Sequence, residues 1–146
     1  MKKYFFQRRK SFTLVEIMVV VAVIVILAAL TLPGILRSRL NANESTAITS
    51  LKTIGWAAIT YRTYHPAYPD NLSVLGNVDP PYIDVVLSSG VKQGYVFELT
   101  GGTDTFNATA KPQLPNITGV RNFYVDVSGV IRSSSSGDAD ASSPSI

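Results

Sequence analysis

Residues 1–33 read MKKYFFQRRKSFTLVEIMVVVAVIVILAALTLP, and this stretch decides the fold. Phe12 to Leu32 is a 21-residue run in which only Thr13, Glu16 and Thr31 are polar, and Ile17 to Leu30 is unbroken apolar sequence. About 20 apolar residues suffice for a helix to cross the hydrocarbon core of a bilayer. Lys2, Lys3, Arg8, Arg9 and Lys10 precede the run with no acid among them. Cationic flanks stay on the cytoplasmic side, so the amino terminus is expected inside and the rest outside. A secretory signal peptide has a shorter apolar region followed by small residues at its cleavage site. Here the run is too long, and Leu32-Pro33-Gly34 fits that pattern poorly. The expectation is one membrane-spanning helix that stays attached.

Glu16 is the anomaly in the run. A carboxylate within a span is costly, by roughly 2.5–3.5 kcal/mol toward the middle. Two readings stand open: a carboxylate near the end of the span that snorkels to water, and a buried charge that finds its partner only when another chain packs beside it.

Outward from this stretch, composition sets bounds. The chain has 146 residues, 46% hydrophobic and 16% charged, with no Cys. That is one domain's worth of sequence, without a disulfide framework or a thiolate metal site. The net charge of +3 is uneven. Residues 1–11 hold +5, whereas residues 12–146 hold 8 basic against 10 acidic side chains, or −2. No net basic field faces a nucleic acid outside the leader, and no nucleic-acid partner is expected.

Lys10-Ser11-Phe12-Thr13-Leu14-Val15-Glu16 resembles the processing site of type IV pilins and the related type II secretion pseudopilins. The resemblance implies that a prepilin peptidase cuts between Ser11 and Phe12. Phe12 then becomes the N-methylated first residue, and Glu16 the fifth, where the family has its glutamate. Pro33 falls where many type IV pilins also have Pro. One departure is plain: the family nearly always has Gly before the cut, and this chain has Ser11, with no Gly before Gly34. A new α-amino group on Phe12 would be largely cationic at neutral pH. Glu16 of one subunit is then expected to pair with the Phe12 amine of its neighbour. That pairing fixes register through the penalty on an unpaired buried charge.

Pro33 with Gly34 is expected to kink or locally unwind the helix. The helix then resumes over 36–64, with Leu40, Ala47, Ile48, Leu51, Ile54, Ala58 and Tyr61 near 3.6-residue spacing. Asn43, Glu44, Thr46, Lys52, Thr53 and Thr60 are assigned to the opposite, polar face. His65-Pro66 ends the helix, because a residue before Pro avoids the helical region. Residues 66–93, punctuated by Pro66, Pro69, Pro80 and Pro81, read as a connecting loop, with Ile83–Leu87 a short helix or strand. Tyr95, Phe97 and Leu99 alternate with Val96, Glu98 and Thr100 up to Gly101-Gly102, and Thr103–Ala110 returns as a hairpin. Val120–Val127 is a further strand, turned by Ser128-Gly129 into Val130-Ile131-Arg132. Three to four antiparallel strands on the helix make an α+β, pilin-like head. A weaker resemblance, to a cysteine-free pilin subset, covers Phe123 to Arg132.

The expected organisation is a basic leader, 1–11; a transmembrane and filament-core helix, 12–35; a globular head, 36–132; and a flexible Ser-rich tail, 133–146. No catalytic constellation is evident. His65 suits a helix end, Gly101-Gly102-Thr103 lacks the Lys of a phosphate loop, and Asp126, Asp138 and Asp140 match no Ca²⁺ loop spacing. Trp56, Tyr61, Tyr64 and Tyr68 read as core and subunit contacts. Asn43, Asn71, Asn107 and Asn116 begin Asn-x-Ser/Thr triplets, which matter for eukaryotic glycosylation, whereas the resemblance points to a prokaryote. No cofactor, metal or enzymatic activity is expected. The resemblance implies a structural subunit that polymerises helically with copies of itself. Its other partners would be the prepilin peptidase, an inner-membrane assembly platform and an ATPase. The chain would sit in the cytoplasmic membrane before assembly and in a surface pilus afterwards. A type II secretion pseudopilin in a periplasmic pseudopilus is the alternative. A third reading, an anchored module that never polymerises, would leave the Ser11–Phe12 bond intact.

Overall fold

The computed structural model describes residues 11–146, so the leader ahead of Ser11 lies outside the described residues. The chain divides into two compact units, Met1–Arg37 and Ser38–Ile146. Helix α1, Leu14–Tyr64, supplies most of the described part of the first unit and the opening of the second. It is continuous across Pro33 and Gly34. The local unwinding expected there is absent. Proline removes a single backbone donor, and an otherwise strong helix former on both sides can tolerate that loss. Nearby, the Thr31 hydroxyl donates to the Ala28 carbonyl at 3.1 Å. The helix stops at Tyr64, where the His65-Pro66 dipeptide disfavours another helical residue.

In the second unit, α1 is followed by α2 (Leu72–Gly76), α3 (Val85–Ser88) and five strands: β1 (Val91–Lys92), β2 (Tyr95–Gly101), β3 (Phe106–Pro112), β4 (Asn122–Asp126) and β5 (Arg132–Ser134). The strands form one antiparallel meander in chain order. The β2–β3 register pairs Gly101 with Phe106, so the expected hairpin turn is where the Gly-Gly pair stands. Alternation sends Tyr95, Phe97 and Leu99 of β2, Phe106, Ala108 and Ala110 of β3, and Phe123 and Val125 of β4 inward. They meet Ala47, Leu51, Ile54, Ala57 and Ala58 of α1, with Leu72, Leu75, Ile83 and Leu87 closing one end. The fold is α+β, a helix on an antiparallel sheet.

Four further expectations change. The sheet has five strands, because Val91–Lys92 and Arg132–Ser134 add short edges. Within residues 66–93, α2 is an unexpected helix, and the short element expected at Ile83–Leu87 is helix α3. The Asn71 side chain accepts from Val74 N at 3.0 Å and caps α2, and Asp84 accepts from Leu87 N at 2.9 Å and caps α3. The Ser-rich end is not a free tail. β5 pairs with β4, Ser133 N donates to Pro144 O at 2.9 Å, Ile146 N donates to Ile131 O at 3.1 Å, and Ala139 is buried. Backbone pairing organises this segment, and composition alone does not report it.

The fourth change is Glu44. It faces the core, 6% exposed, instead of lying on the polar face. Its Oε1 accepts the N–H groups of Val120 (2.9 Å) and Arg121 (3.2 Å), and its Oε2 accepts Arg121 Nε at 2.8 Å. Beside it, Asn43 Nδ2 donates to Thr118 O at 2.8 Å. The Tyr95 hydroxyl donates to Arg121 O at 2.9 Å from beneath. The Arg121 guanidinium also lies 5.3 Å from the Phe123 ring centre. One turn of α1 thus pins the β3–β4 connection. Burial opposes the charge on Glu44, but the hydrogen bonds from Val120 and Arg121 outweigh it and hold the carboxyl below its ordinary value.

Replacing Glu44 with Ala is expected to cost about 2–3 kcal/mol, since buried donors lose a charged acceptor. Urea unfolding of the detergent-solubilised chain, followed by circular dichroism, measures it. A depressed carboxyl pKa contributes stability that is present at neutral pH and lost as pH falls through the folded value. The gap between wild type and Glu44→Gln should therefore close in acid. A gap that stays constant from pH 7 to pH 3 would contradict this account.

Candidate assembly interface at the amino-terminal helix

The first unit holds the residues singled out by sequence. Every large apolar side chain from Phe12 to Leu36 is between 50% and 80% exposed. Among the described residues, α1 is the one helix long and apolar enough to cross a membrane, and none of its most apolar window is buried. Apolar side chains stand on all sides, which suits lipid or other helices as surroundings.

At its start, Thr13 and Glu16 form a reciprocal cap. Glu16 N donates to Thr13 Oγ1 at 3.2 Å, and Thr13 N donates to Glu16 Oε2 at 2.7 Å. The Thr13 hydroxyl adds a third bond to the same oxygen at 2.9 Å. This is a capping box, Thr-x-x-Glu, which satisfies donors that a helix start otherwise leaves open. Sequence reasoning gave Glu16 only a distant partner and missed this local one. The signal was present as Thr followed three residues later by Glu, just ahead of an apolar run. Both bonds to the carboxylate fall on Oε2. Among the described residues, Oε1 therefore keeps its accepting capacity. Ser11 and Phe12 precede the helix, and Phe12 is 80% exposed.

The remaining candidates separate. His65 Nδ1 lies 2.9 Å from the Tyr61 carbonyl oxygen, and its ring stacks on Tyr61 at 3.8 Å. Tyr61 and Tyr68 pack on the core, whereas Trp56 and Tyr64 are exposed, so core packing explains only half of that aromatic set. Asp126 is engaged by Ser128, Asp140 by Ser142 and Ser143, and Asp138 by Lys111. Among the described residues no three His, Cys, Asp or Glu side chains gather as a metal site.

The described residues thus combine a span-length apolar helix, capped at its start by Thr13 and Glu16, with a helix-on-sheet head. The prokaryotic N-terminal methylation motif matches residues 6–32. The type IV major pilin protein PilA of Myxococcus xanthus is 35% identical over 69 residues, covering 47% of this chain and 31% of that protein. The type II secretion system core protein G of Escherichia coli is 28% identical over 93 residues, 63% and 64% of the two chains. The type IV major pilin protein PilE1 of Neisseria gonorrhoeae is 33% identical over 101 residues, 69% and 57%. The methylation motif and these matches together support a type IV pilin or type II secretion pseudopilin family. The match spans less than two thirds of the length of each of these relatives. No solved structure matches the chain.

The cap makes a local prediction. Gln is also accepted at the third helical position of a capping box. In detergent, Glu16→Gln should keep amide protection in the first turn of α1. Glu16→Ala should raise exchange there several-fold, as read by hydrogen–deuterium exchange.

Proposed function

We propose that the chain is the structural subunit of a type IV pilus-like extracellular filament. The observation that carries this reading is the uncovered apolar half of α1 with Glu16 at its start. A prepilin peptidase removes residues 1–11 by cutting between Ser11 and Phe12, and Phe12 is then N-methylated. Before assembly the chain is a single-pass protein of the cytoplasmic membrane with its amino terminus in the cytoplasm. An inner-membrane platform and an ATPase move subunits from lipid into a helical homopolymer. The filament core is formed by residues 12–35, and the head coats it. Exchange of lipid for neighbouring helices costs little, because both surroundings are apolar. No enzymatic step is part of this role.

Glu16 sets register. The Phe12 amine created by cleavage is a cation, and the free Oε1 of a neighbouring Glu16 accepts it without breaking the cap on Oε2. In a low-dielectric core a misplaced pair leaves a charge uncompensated, which penalises every other register. Pro33 and Gly34 are the weak point at which the continuous helix yields when subunits pack.

A second reading is a type II secretion pseudopilin with the same processing but a periplasmic pseudopilus. The match to the Escherichia coli core protein G favours it, since it covers 64% of that protein, against 31% and 57% for the two pilins.

Two measurements test the proposal. Filaments sheared from cells should contain this protein with an intact mass and amino terminus of methylated Phe12. Full-length chain confined to membranes would overturn processing at Ser11. Processed chain found in the envelope but never in sheared filaments would select the pseudopilin. In the second measurement, Glu16→Gln preserves the cap and removes the charge. Filament yield should fall at least tenfold, as with Glu16→Ala. A wild-type yield from Glu16→Gln would reduce Glu16 to a helix cap.

A further inference from the structure

Arg37 and Arg39 follow the apolar run on α1 and have no role in the account so far. Both are exposed. No ion pair among the described residues includes either of them. Residues 17–43 contain no Asp or Glu. The first carboxylate beyond, Glu44, is occupied by Arg121 and two backbone donors. Two cations therefore stand just past a membrane-length helix with no ion-pair partner among the described residues. They also stand at the end where a bias of positive charge toward the cytoplasm would not place them.

We propose that Arg37 and Arg39 bind the phosphates of lipid headgroups and fix the depth of the helix in the bilayer. This rests on the membrane-inserted state described above. At 1.5 Å per residue, Arg37 lies about 7.5 Å and Arg39 about 10 Å beyond Leu32. The headgroup layer extends roughly 5–8 Å beyond the hydrocarbon on each side. Helical side chains lean toward the amino terminus, so both guanidinium groups reach back toward the bilayer and into that layer. A guanidinium offers paired donors that suit a phosphate. Residues two apart on a helix point about 200° from one another. A protein partner would present acids to one side, whereas headgroups surround the helix and satisfy both directions. Arg37 and Phe12 are 25 residues apart, about 38 Å of helix. Holding one end at the phosphates therefore sets where the Ser11–Phe12 bond emerges at the other.

The chain has no Cys, so Ala42→Cys gives a single labelling site on an exposed position. The full-length labelled chain is reconstituted into phosphatidylglycerol–phosphatidylethanolamine vesicles with quenchers on headgroups or deep in acyl chains. It is compared with R37Q/R39Q and R37K/R39K. Both variants should co-float with the vesicles. R37Q/R39Q should change the ratio of headgroup to acyl quenching at least twofold, and R37K/R39K should restore most of the wild-type ratio. In vesicles of uncharged, phosphate-free glycolipid, with or without inorganic phosphate in the buffer, wild type and R37Q/R39Q should coincide. Equal depth of wild type and R37Q/R39Q in phospholipid overturns the proposal. So does a difference that persists in glycolipid, or a response to free phosphate alone. Unchanged depth with lost self-association would assign the arginines to a subunit contact instead. A wild-type chain that fails to co-float would instead overturn the membrane-inserted state itself.

Discussion

The constraint on which this protein depends is that the first half of α1 presents a span-length apolar surface left exposed among the described residues. From Phe12 to Leu36 the large apolar side chains are half exposed or more, on every side of the helix. Burial of such side chains is worth roughly 1.5–3 kcal/mol each. A surface of this kind does not persist in water. It requires lipid or the equivalent helices of other copies, and these two surroundings are similar in polarity. Under the proposed function, that similarity would let one sequence serve both as a membrane anchor and as the core of a polymer. It also means that hydrophobicity cannot specify how copies align, and polar groups must do so.

The same helix meets a different problem after Arg37. There the apolar positions fall on one face and pack against inward residues of β2, β3 and β4. The contact is built from small residues on α1 (Ala47, Ala57, Ala58) and on β3 (Ala108, Ala110), against the larger Tyr95, Phe97 and Phe123. Small positions let helix and sheet approach, and the aromatics fill the remaining volume. Glu44 sits at the edge of this contact and fixes the β3–β4 connection by hydrogen bonds to its backbone. Burial, with the nearby Glu44 carboxylate adding to it, pushes the Tyr95 hydroxyl upward, so it remains a donor to the Arg121 carbonyl.

The apolar run, the α+β class and the hairpin turn at Gly101-Gly102 were legible because each rests on a local pattern: length, alternation or a turn residue. The misreadings share a cause. Glu44 was assigned to the polar face by residue type, although it lies three residues before Ala47 and seven before Leu51, which places it on the apolar side. Its burial depends on Arg121 and on backbone donors far along the chain, and no window of sequence shows them. The Ser-rich end was read from composition, whereas its order comes from pairing with β4 and from Arg132 Nη1 donating to the Ser143 carbonyl at 3.0 Å. Asn71 and Asp84 each stand three residues before the amide they cap, a local pattern set among dense Pro and Gly.

Glu16 shows how one residue answers to two states. In the isolated chain its Oε2 closes the capping box with Thr13, so the carboxylate meets the bilayer region already hydrogen-bonded. A carboxylate has about four acceptor sites, and the cap leaves Oε1 available. A cation brought by a second chain then adds to the existing bonds and need not displace them. In the proposed filament, the cap would therefore lower the cost of inserting the charge before assembly and leave its selectivity for assembly. A glutamine would keep the first property and lose the second. That difference separates a residue that starts a helix from one that also aligns subunits.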